Sequence, residues 1–249
     1  MSDLTSDGIE KYFSAFKAKN YKKGQIILHP DEEIPRDIYY IEKGHVKVYS
    51  LTESGNEMTH IFFGPAEMFP LVSFFKRETR DIFFEAMEDV VIKKAGREEF
   101  MTFIKSDSRH LLEIIDRMSN ILKVYANRID DLEYTKAYTK VVSRLISLSR
   151  RFGKEYNGRV ILDIPVTHKD IANTINLTRE TTTRELLFLM GKGLIVQNGH
   201  LIVIKDLKKL EKSLKILYKF SPEVFGFLVF VVRQVFMQNF YSNRIYSLV

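Results

Sequence analysis

Residues 167–190, THKDIANTINLTRETTTRELLFLM, constrain this chain more than any other stretch. They read as two short helices joined by a tight turn. Thr167 is placed to cap the first helix, with Asp170 three residues later near its positive end. Ile171, Ala172 and Ile175 give that helix an apolar face. Asn176 suits the turn, because asparagine tolerates the left-handed conformation better than most residues. Thr178 is placed to cap a second helix that begins at Arg179. On it Thr182, Leu186, Leu189 and Met190 recur at helical spacing and should face the core. Arg179, Glu180, Thr183 and Arg184 are left at the exposed N-terminal end. A helix lying in a major groove presents its base-reading side chains from that end. Arginine donates two hydrogen bonds to a guanine edge, and glutamate accepts one from cytosine N4. Thr167, His168, Lys169, Thr178 and Thr181 are the expected phosphate contacts. The competing reading of Glu180 and Arg184, four residues apart, is an ordinary surface ion pair.

The segment after the two helices strengthens the groove-binding reading. Residues 193–196 (GLIV) and 201–204 (LIVI) flank Asn198-Gly199. Two β-rich runs around Asn-Gly signal a hairpin. Helix, turn, helix and hairpin together make a winged helix-turn-helix. Charge agrees with that placement. The formal net charge is +6 overall, but residues 138–220 hold 16 Lys+Arg against 7 Asp+Glu, net +9. Residues 1–137 hold 20 against 24, net −4. A basic module beside a mildly acidic one fits polyanion binding by the former. Lys208, Lys209, Lys212, Lys215 and Lys219 lie on an expected C-terminal helix, where they serve equally well as a solvated face.

The N-terminal half has a different grammar. Residues 7–19 read as an amphipathic helix through Ile9, Tyr12, Phe13 and Phe16. From residue 21 to 93, short β-runs alternate with turn signals: 25–28, 38–41, 46–49, 58–63, 83–87 and 90–93. Many short strands at near-regular spacing imply a sandwich or barrel. Between the halves, Leu111, Ile115, Met118, Leu122, Tyr125, Ile129 and Leu132 recur four and three apart, the seam of a coiled coil. Ile114, Ile121 and Val124 lie off that seam and can contact the β-domain instead. A parallel homodimer is therefore expected. The hinge into the C-terminal module is expected at residues 134–138. Val141, Leu145, Ile146 and Leu148 begin the module's first helix, which ends near Phe152-Gly153, and residues 153–159 read as a solvated loop.

Residues 23–69 resemble the effector domain of the cyclic-AMP receptor protein/Fnr (Crp/Fnr) superfamily. The matching features are Lys23-Gly24, the run 38–41 before Gly44, the alternation after it, Gly55 in a hairpin turn, and Gly64 before the last hairpin. The winged helix matches over residues 166–206. The resemblance implies an α+β protein. Its parts would be an N-terminal β-barrel or jelly roll of cyclic-nucleotide-binding type, a long dimerisation helix, and a C-terminal winged helix-turn-helix. The expected boundaries are 1–20 (N-terminal helix), 21–105 (effector domain), 106–137 (dimerisation helix and hinge) and 138–220 (DNA-binding domain). The implied function is transcription regulation by a homodimer on an inverted repeat of double-stranded DNA, with no enzymatic activity. RNA polymerase is a possible partner through residues 153–159. The alternative is a small-molecule sensor module with degenerate DNA binding.

The effector is harder to read. Family members that bind cyclic nucleotides carry a Gly-Glu pair after the last glycine, then an Arg-Ser or Arg-Thr pair, to hold ribose and phosphate. Here Pro70 and Leu71 stand at the first pair, and Arg80 and Asp81 at the second. Proline has no N–H to donate, and leucine cannot accept a hydroxyl hydrogen. Cyclic AMP is not expected on these grounds. The absence of cysteine excludes disulfides, thiolate zinc and a cysteine-held iron–sulfur cluster. His29, His45 and His60 are isolated in sequence and are not expected to hold a metal. A pocket, if formed, would be built around Phe69, Pro70, Leu71, Arg80 and Asp81. Its aromatic surroundings (Phe62, Phe74, Phe75, Phe83, Phe84) suit a filled core better.

Residues 221–249 form an apolar extension of unknown role. Its run 224–232 is shorter than the ~20 residues a bilayer span needs. It is expected to pack as an extra helix on the protein or at the dimer interface, without membrane insertion. With no secretory signal at the N-terminus, a cytoplasmic location is expected.

Overall fold

The computed structural model describes residues 7–30, 36–78, 81–199 and 201–215. Arg80, His200 and the apolar extension 221–249 lie outside them. In chain order, helix α1 (Asp7–Ser14) precedes strands β1 (Ala18–Tyr21), β2 (Ile26–Leu28), β3 (Asp37–Lys43), β4 (Val46–Leu51), β5 (Glu57–Phe63) and β6 (Met68–Phe69). Helix α2 (Leu71–Lys76), strands β7 (Phe83–Ala86) and β8 (Val90–Gly96), and helix α3 (Arg97–Ser106) complete the N-terminal half. The long α4 (Ser108–Glu133) leads to α5 (Ala137–Phe152), β9 (Gly153–Tyr156) and β10 (Arg159–Leu162). Then come α6 (His168–Ile175), α7 (Arg179–Gly191), β11 (Ile195–Asn198), β12 (Leu201–Ile204) and α8 (Leu207–Lys215).

Two four-stranded antiparallel sheets, in the orders β1-β8-β3-β6 and β2-β7-β4-β5, build the effector domain as a jelly-roll sandwich. Strand β3 shows why. Successive side chains leave opposite faces of a strand. Tyr39 and Ile41 enter the core between the sheets, with Val46, Val48, Ile61, Phe69, Phe84 and Ile92. Ile38 and Tyr40 enter a second core with Ile9 and Phe13 of α1, Phe74 of α2 and Phe100 of α3. The run DIYYIEK is apolar at consecutive positions because both faces of β3 are covered. Gly44, between β3 and β4, has φ +87°, and a Cβ there would lie 2.8 Å from the Asp89 carbonyl oxygen, so the turn needs glycine.

Three sequence expectations change. The first helix stops at Ser14, not Lys19, because residues 18–21 extend to pair with β8 (Ala18 opposite Lys93, Tyr21 opposite Val90). An available sheet edge outweighs the weak helical preference of AKNY. The expected N-terminal helical segment 1–20 therefore ends inside a strand. Residues 153–159 are not a loop. They form most of the β9–β10 hairpin, turning at Asn157 (φ +48°) and Gly158 (φ +71°), the positive-φ pair of a tight hairpin turn. Exposed, charged β9 hid that signal, and β10 pairs with β9 on one side and β12 on the other in a four-stranded sheet β11-β12-β10-β9. The hinge is also shorter than 134–138, since α5 already begins at Ala137.

Helix α4 buries one face and leaves another open. Ile114 is 2% exposed in the outer core, and Ile121 and Val124 pack against the inter-sheet core. Leu111, Ile115, Leu122, Ile129 and Leu132 are exposed, Leu122 by 67%. Met118 and Tyr125 of the same seam are half-buried. Among the described residues no helix is long and apolar enough to cross a membrane.

Near the hinge, Asp131 of α4 is 1% exposed, and Arg144 of α5 is buried beside it. Burial is the main cause that pushes the Asp131 carboxyl up to about 6, opposed by Ser143 and Arg144. Burial also lowers the Arg144 guanidinium to about 10, so it stays cationic at neutral pH. A carboxyl whose folded pKa exceeds its unfolded value favours the folded state fully below the unfolded pKa. That contribution is lost as pH rises through the folded pKa. Stability to urea should therefore fall from about pH 4 to pH 7, with Asp131 contributing on the order of 2–3 kcal/mol. In Asp131→Asn that part of the slope should vanish. Identical slopes in the two proteins would show that Asp131 does not cause it.

Candidate nucleic-acid interface

The helix pair is built by local capping. The Thr167 hydroxyl accepts from the Asp170 amide at 3.1 Å, and the Asp170 carboxylate accepts from the Thr167 amide at 2.8 Å, a complete capping box. Helix α6 ends at Asn176, whose φ of 53° and ψ of 52° are left-handed. Thr178 caps α7 by accepting from the Thr181 amide at 3.1 Å. Thr182, Leu186 and Leu189 are fully buried, and Met190 is half-buried. That burial fixes which side of α7 faces out.

Arg179, Glu180 and Arg184 lie on the outer side and are exposed. Glu180 and Arg184 do not pair. The Arg184 side chain is 72% exposed, and its ion pair is a loose one, Nε to Glu185 at 3.7 Å. Among the described residues, Arg179 and Glu180 have no hydrogen-bonding partner. Three charged groups thus stand on the outer side of α7, with only the loose Arg184–Glu185 pair among them.

The remaining sequence candidates divide. Lys169 is exposed. The Thr167 and Thr178 hydroxyls serve the caps, and Thr178 donates to the Thr181 hydroxyl at 3.0 Å. Thr183 and His168 are tied to each other. The Thr183 hydroxyl lies 2.9 Å from His168 Nδ1, while His168 Nε2 lies 2.8 Å from Gln197 Oε1 on β11. Gln197 was not singled out by sequence, and its only signal is its position beside the Asn198-Gly199 turn.

Helix α6 also meets the effector domain. Asn173 donates to Glu57 of β5 at 3.1 Å, and Arg128 of α4 donates to the Thr174 carbonyl at 3.3 Å. The Lys47 ammonium, on a side chain 8% exposed, lies 3.2 Å from Glu57, 3.7 Å from Glu85 and 3.8 Å from Asp170. Arg151 of α5 reaches both carboxylate oxygens of Glu67, at 2.7 and 2.9 Å. No local sequence pattern indicates these contacts.

The described effector candidates Phe69, Leu71 and Asp81 lie in different surroundings. Phe69 is fully buried between the sheets, its ring 4.9 Å from Phe84 and 5.4 Å from Tyr39. Leu71 belongs to the outer core instead. Pro70 is buried and Asp81 exposed. A cleft of about 210 Å³ lies between Phe63, Glu67, Leu71 and the α4 residues Glu113, Arg117 and Ile121. Its charges largely satisfy one another, since Arg117 pairs with Glu113 at 2.9 Å and Glu67 with Arg151. Among the described residues no group of three or more histidines and carboxylates is placed to hold a metal ion.

Residues 18–107 match the cyclic nucleotide-binding domain family, and residues 139–213 match the Crp-like helix-turn-helix domain. A CRP-like cAMP-activated global transcriptional regulator of Mycobacterium tuberculosis is 23% identical over 78% of this chain and 86% of its own length. The transcriptional regulator SdrP of Thermus thermophilus is 28% identical over 78% of this chain and 92% of its own. Among solved structures, a CooA mutant from Carboxydothermus hydrogenoformans superimposes with a TM-score of 0.69 at 20% identity, covering 85% of this chain and 95% of that one. With both domains matched in the same order along full-length relatives, this chain belongs to the Crp/Fnr superfamily of transcription regulators.

Proposed function

We propose that two copies of this chain join along the open stripe of α4 and bind an inverted-repeat DNA duplex. Each copy lays α7 in a major groove, the two grooves about one turn, ~34 Å, apart. The observation that carries this reading is the split of α7. Thr182, Leu186 and Leu189 are fully buried, while Arg179, Glu180 and Arg184 are exposed and have no close internal partner. In this reading Arg179 and Arg184 donate to guanine edges, and Glu180 accepts from cytosine. Lys169, with the Thr167 and Thr178 caps, approaches the phosphates. Such binding belongs to the cytoplasm of a bacterial-type cell. Residues 153–159, the exposed strand β9 and the turn after it, are the surface offered to RNA polymerase. No catalytic step is part of the function.

The effector domain is read as a signal-receiving module that does not take cyclic AMP. Phe69 fills the space between the sheets, Pro70 lacks an N–H, and Leu71 is buried where a ribose-binding carboxylate would be needed. A cyclic nucleotide does not fit these residues. With no cysteine, a thiolate-held iron–sulfur cluster does not fit either.

Selection of bound duplexes from a random pool tests the reading. A palindromic sequence should emerge. Arg184→Ala should bind it more weakly by about 1–3 kcal/mol and relax one position in each half-site. Equal affinity for palindromes and scrambled duplexes would overturn it.

A further inference from the structure

The polar chain across the helix pair and the wing fixes where its hydrogens lie. It begins at a backbone carbonyl. The Gln197 side-chain amide places Nε2 3.0 Å from the Gly199 oxygen. A carbonyl only accepts, so the NH₂ end of Gln197 faces Gly199 and its Oε1 faces His168. Oε1 also only accepts, so His168 Nε2, at 2.8 Å, carries a hydrogen. A neutral imidazole has one N–H, so Nδ1 is an acceptor. The partner of Nδ1, the Thr183 hydroxyl at 2.9 Å, must then donate to it.

Thr183 thereby uses its only hydrogen inside the protein. What remains for an outside partner is its oxygen lone pairs. Thr183 is half-buried on α7, one residue before the exposed Arg184. A bare threonine hydroxyl reads either a donor or an acceptor, and so discriminates little between bases. With its hydrogen committed, it accepts only. In the major groove the donors are the amino groups of adenine N6 and cytosine N4, whereas guanine N7 and O6 and thymine O4 only accept.

We propose that His168 and Gln197 act as positioning residues that make Thr183 an acceptor-only reader, selecting adenine or cytosine at one position of each half-site. The proposal rests on α7 lying in the major groove. It changes the role of His168 from a phosphate contact to a link between the wing and the base-reading helix. The wing thereby influences sequence choice without touching the base concerned.

Selection from a random duplex pool with three proteins, together with imidazole ¹⁵N spectra of the free chain, tests it. The wild-type His168 should show the Nε2–H tautomer, and one half-site position should favour adenine or cytosine by roughly 3- to 10-fold. Thr183→Val should lose that preference and keep the others. Gln197→Leu leaves the imidazole free to change tautomer, so guanine and thymine should become accepted at the same position. An Nδ1–H tautomer in the wild type overturns the proposal. So does guanine or thymine at the Thr183 position, or a Gln197→Leu protein that binds all sequences equally more weakly with its preferences intact, as a merely structural role requires. A wild-type pool with no preferred sequence instead overturns the underlying DNA reading.

Discussion

The double substitution Leu122→Glu with Ile129→Glu should leave a folded monomer that no longer holds its operator. Leu122 is 67% and Ile129 62% exposed in the single chain, on a helix whose other face is packed. Burying each such side chain at a seam contributes about 1.5–3 kcal/mol. Two-fold symmetry counts every position twice, so the pair accounts for roughly 6–12 kcal/mol. A micromolar dimer is held by only about 8 kcal/mol. Four introduced carboxylates at the seam add repulsion. Sedimentation should therefore give the mass of one chain, with unchanged circular dichroism. Affinity for the palindrome should fall by at least about 100-fold, to that of a single half-site. A variant that still sediments as a dimer would show that these residues are not the seam.

Lys47→Met should destabilise the protein by roughly 3–5 kcal/mol, the usual cost of removing one partner from a buried ionic cluster. The lost ammonium is the cation that lies within 3.2–3.8 Å of Glu57, Glu85 and Asp170. Methionine keeps the volume, so the loss is electrostatic. Asp170 belongs to α6, and the two glutamates belong to the sheet. The uncompensated repulsion therefore acts across the contact between the DNA-binding helices and the effector domain. Amide exchange in α6 should accelerate beyond what the fall in global stability explains, and Lys47→Arg should restore most of the protection. Urea unfolding reads the first effect and hydrogen exchange the second. A loss below about 1 kcal/mol would mean that water or rearrangement already screens the cluster.

The parts legible from sequence share a short range. The capping box at Thr167 and Asp170 spans four residues, the Asn176 turn one, and the α7 face a few helical turns. Each is an interaction between near neighbours in the chain, so residue type and spacing specify it almost completely. The α4 pattern was legible for the same reason. Its off-seam residues Ile121 and Val124 do pack on the effector domain, and Leu111, Ile115, Leu122, Ile129 and Leu132 of its seam stay open, while Met118 and Tyr125 are half-buried. The missed β9–β10 hairpin marks a limit of local reading. Asn157-Gly158 was visible, but β9 has no apolar alternation, because it is an exposed edge held only by the neighbouring strand.

Fold class, the order of modules and the outward face of α7 thus follow from periodicity, caps and turns in the chain. Other features depend on which distant segments meet in space. Glu57 and Asn173 are 116 residues apart, Arg151 and Glu67 84, and His168 and Gln197 29. A polar side chain has the same local signature whether it faces water or a buried partner. Packing alone brings Lys47 among three carboxylates, puts Phe69 in the space between the sheets, and turns the Thr183 hydroxyl inward. The physical reason is that desolvation and hydrogen-bond geometry depend on position in the assembled fold, whereas helix capping and strand alternation are set by the chain itself.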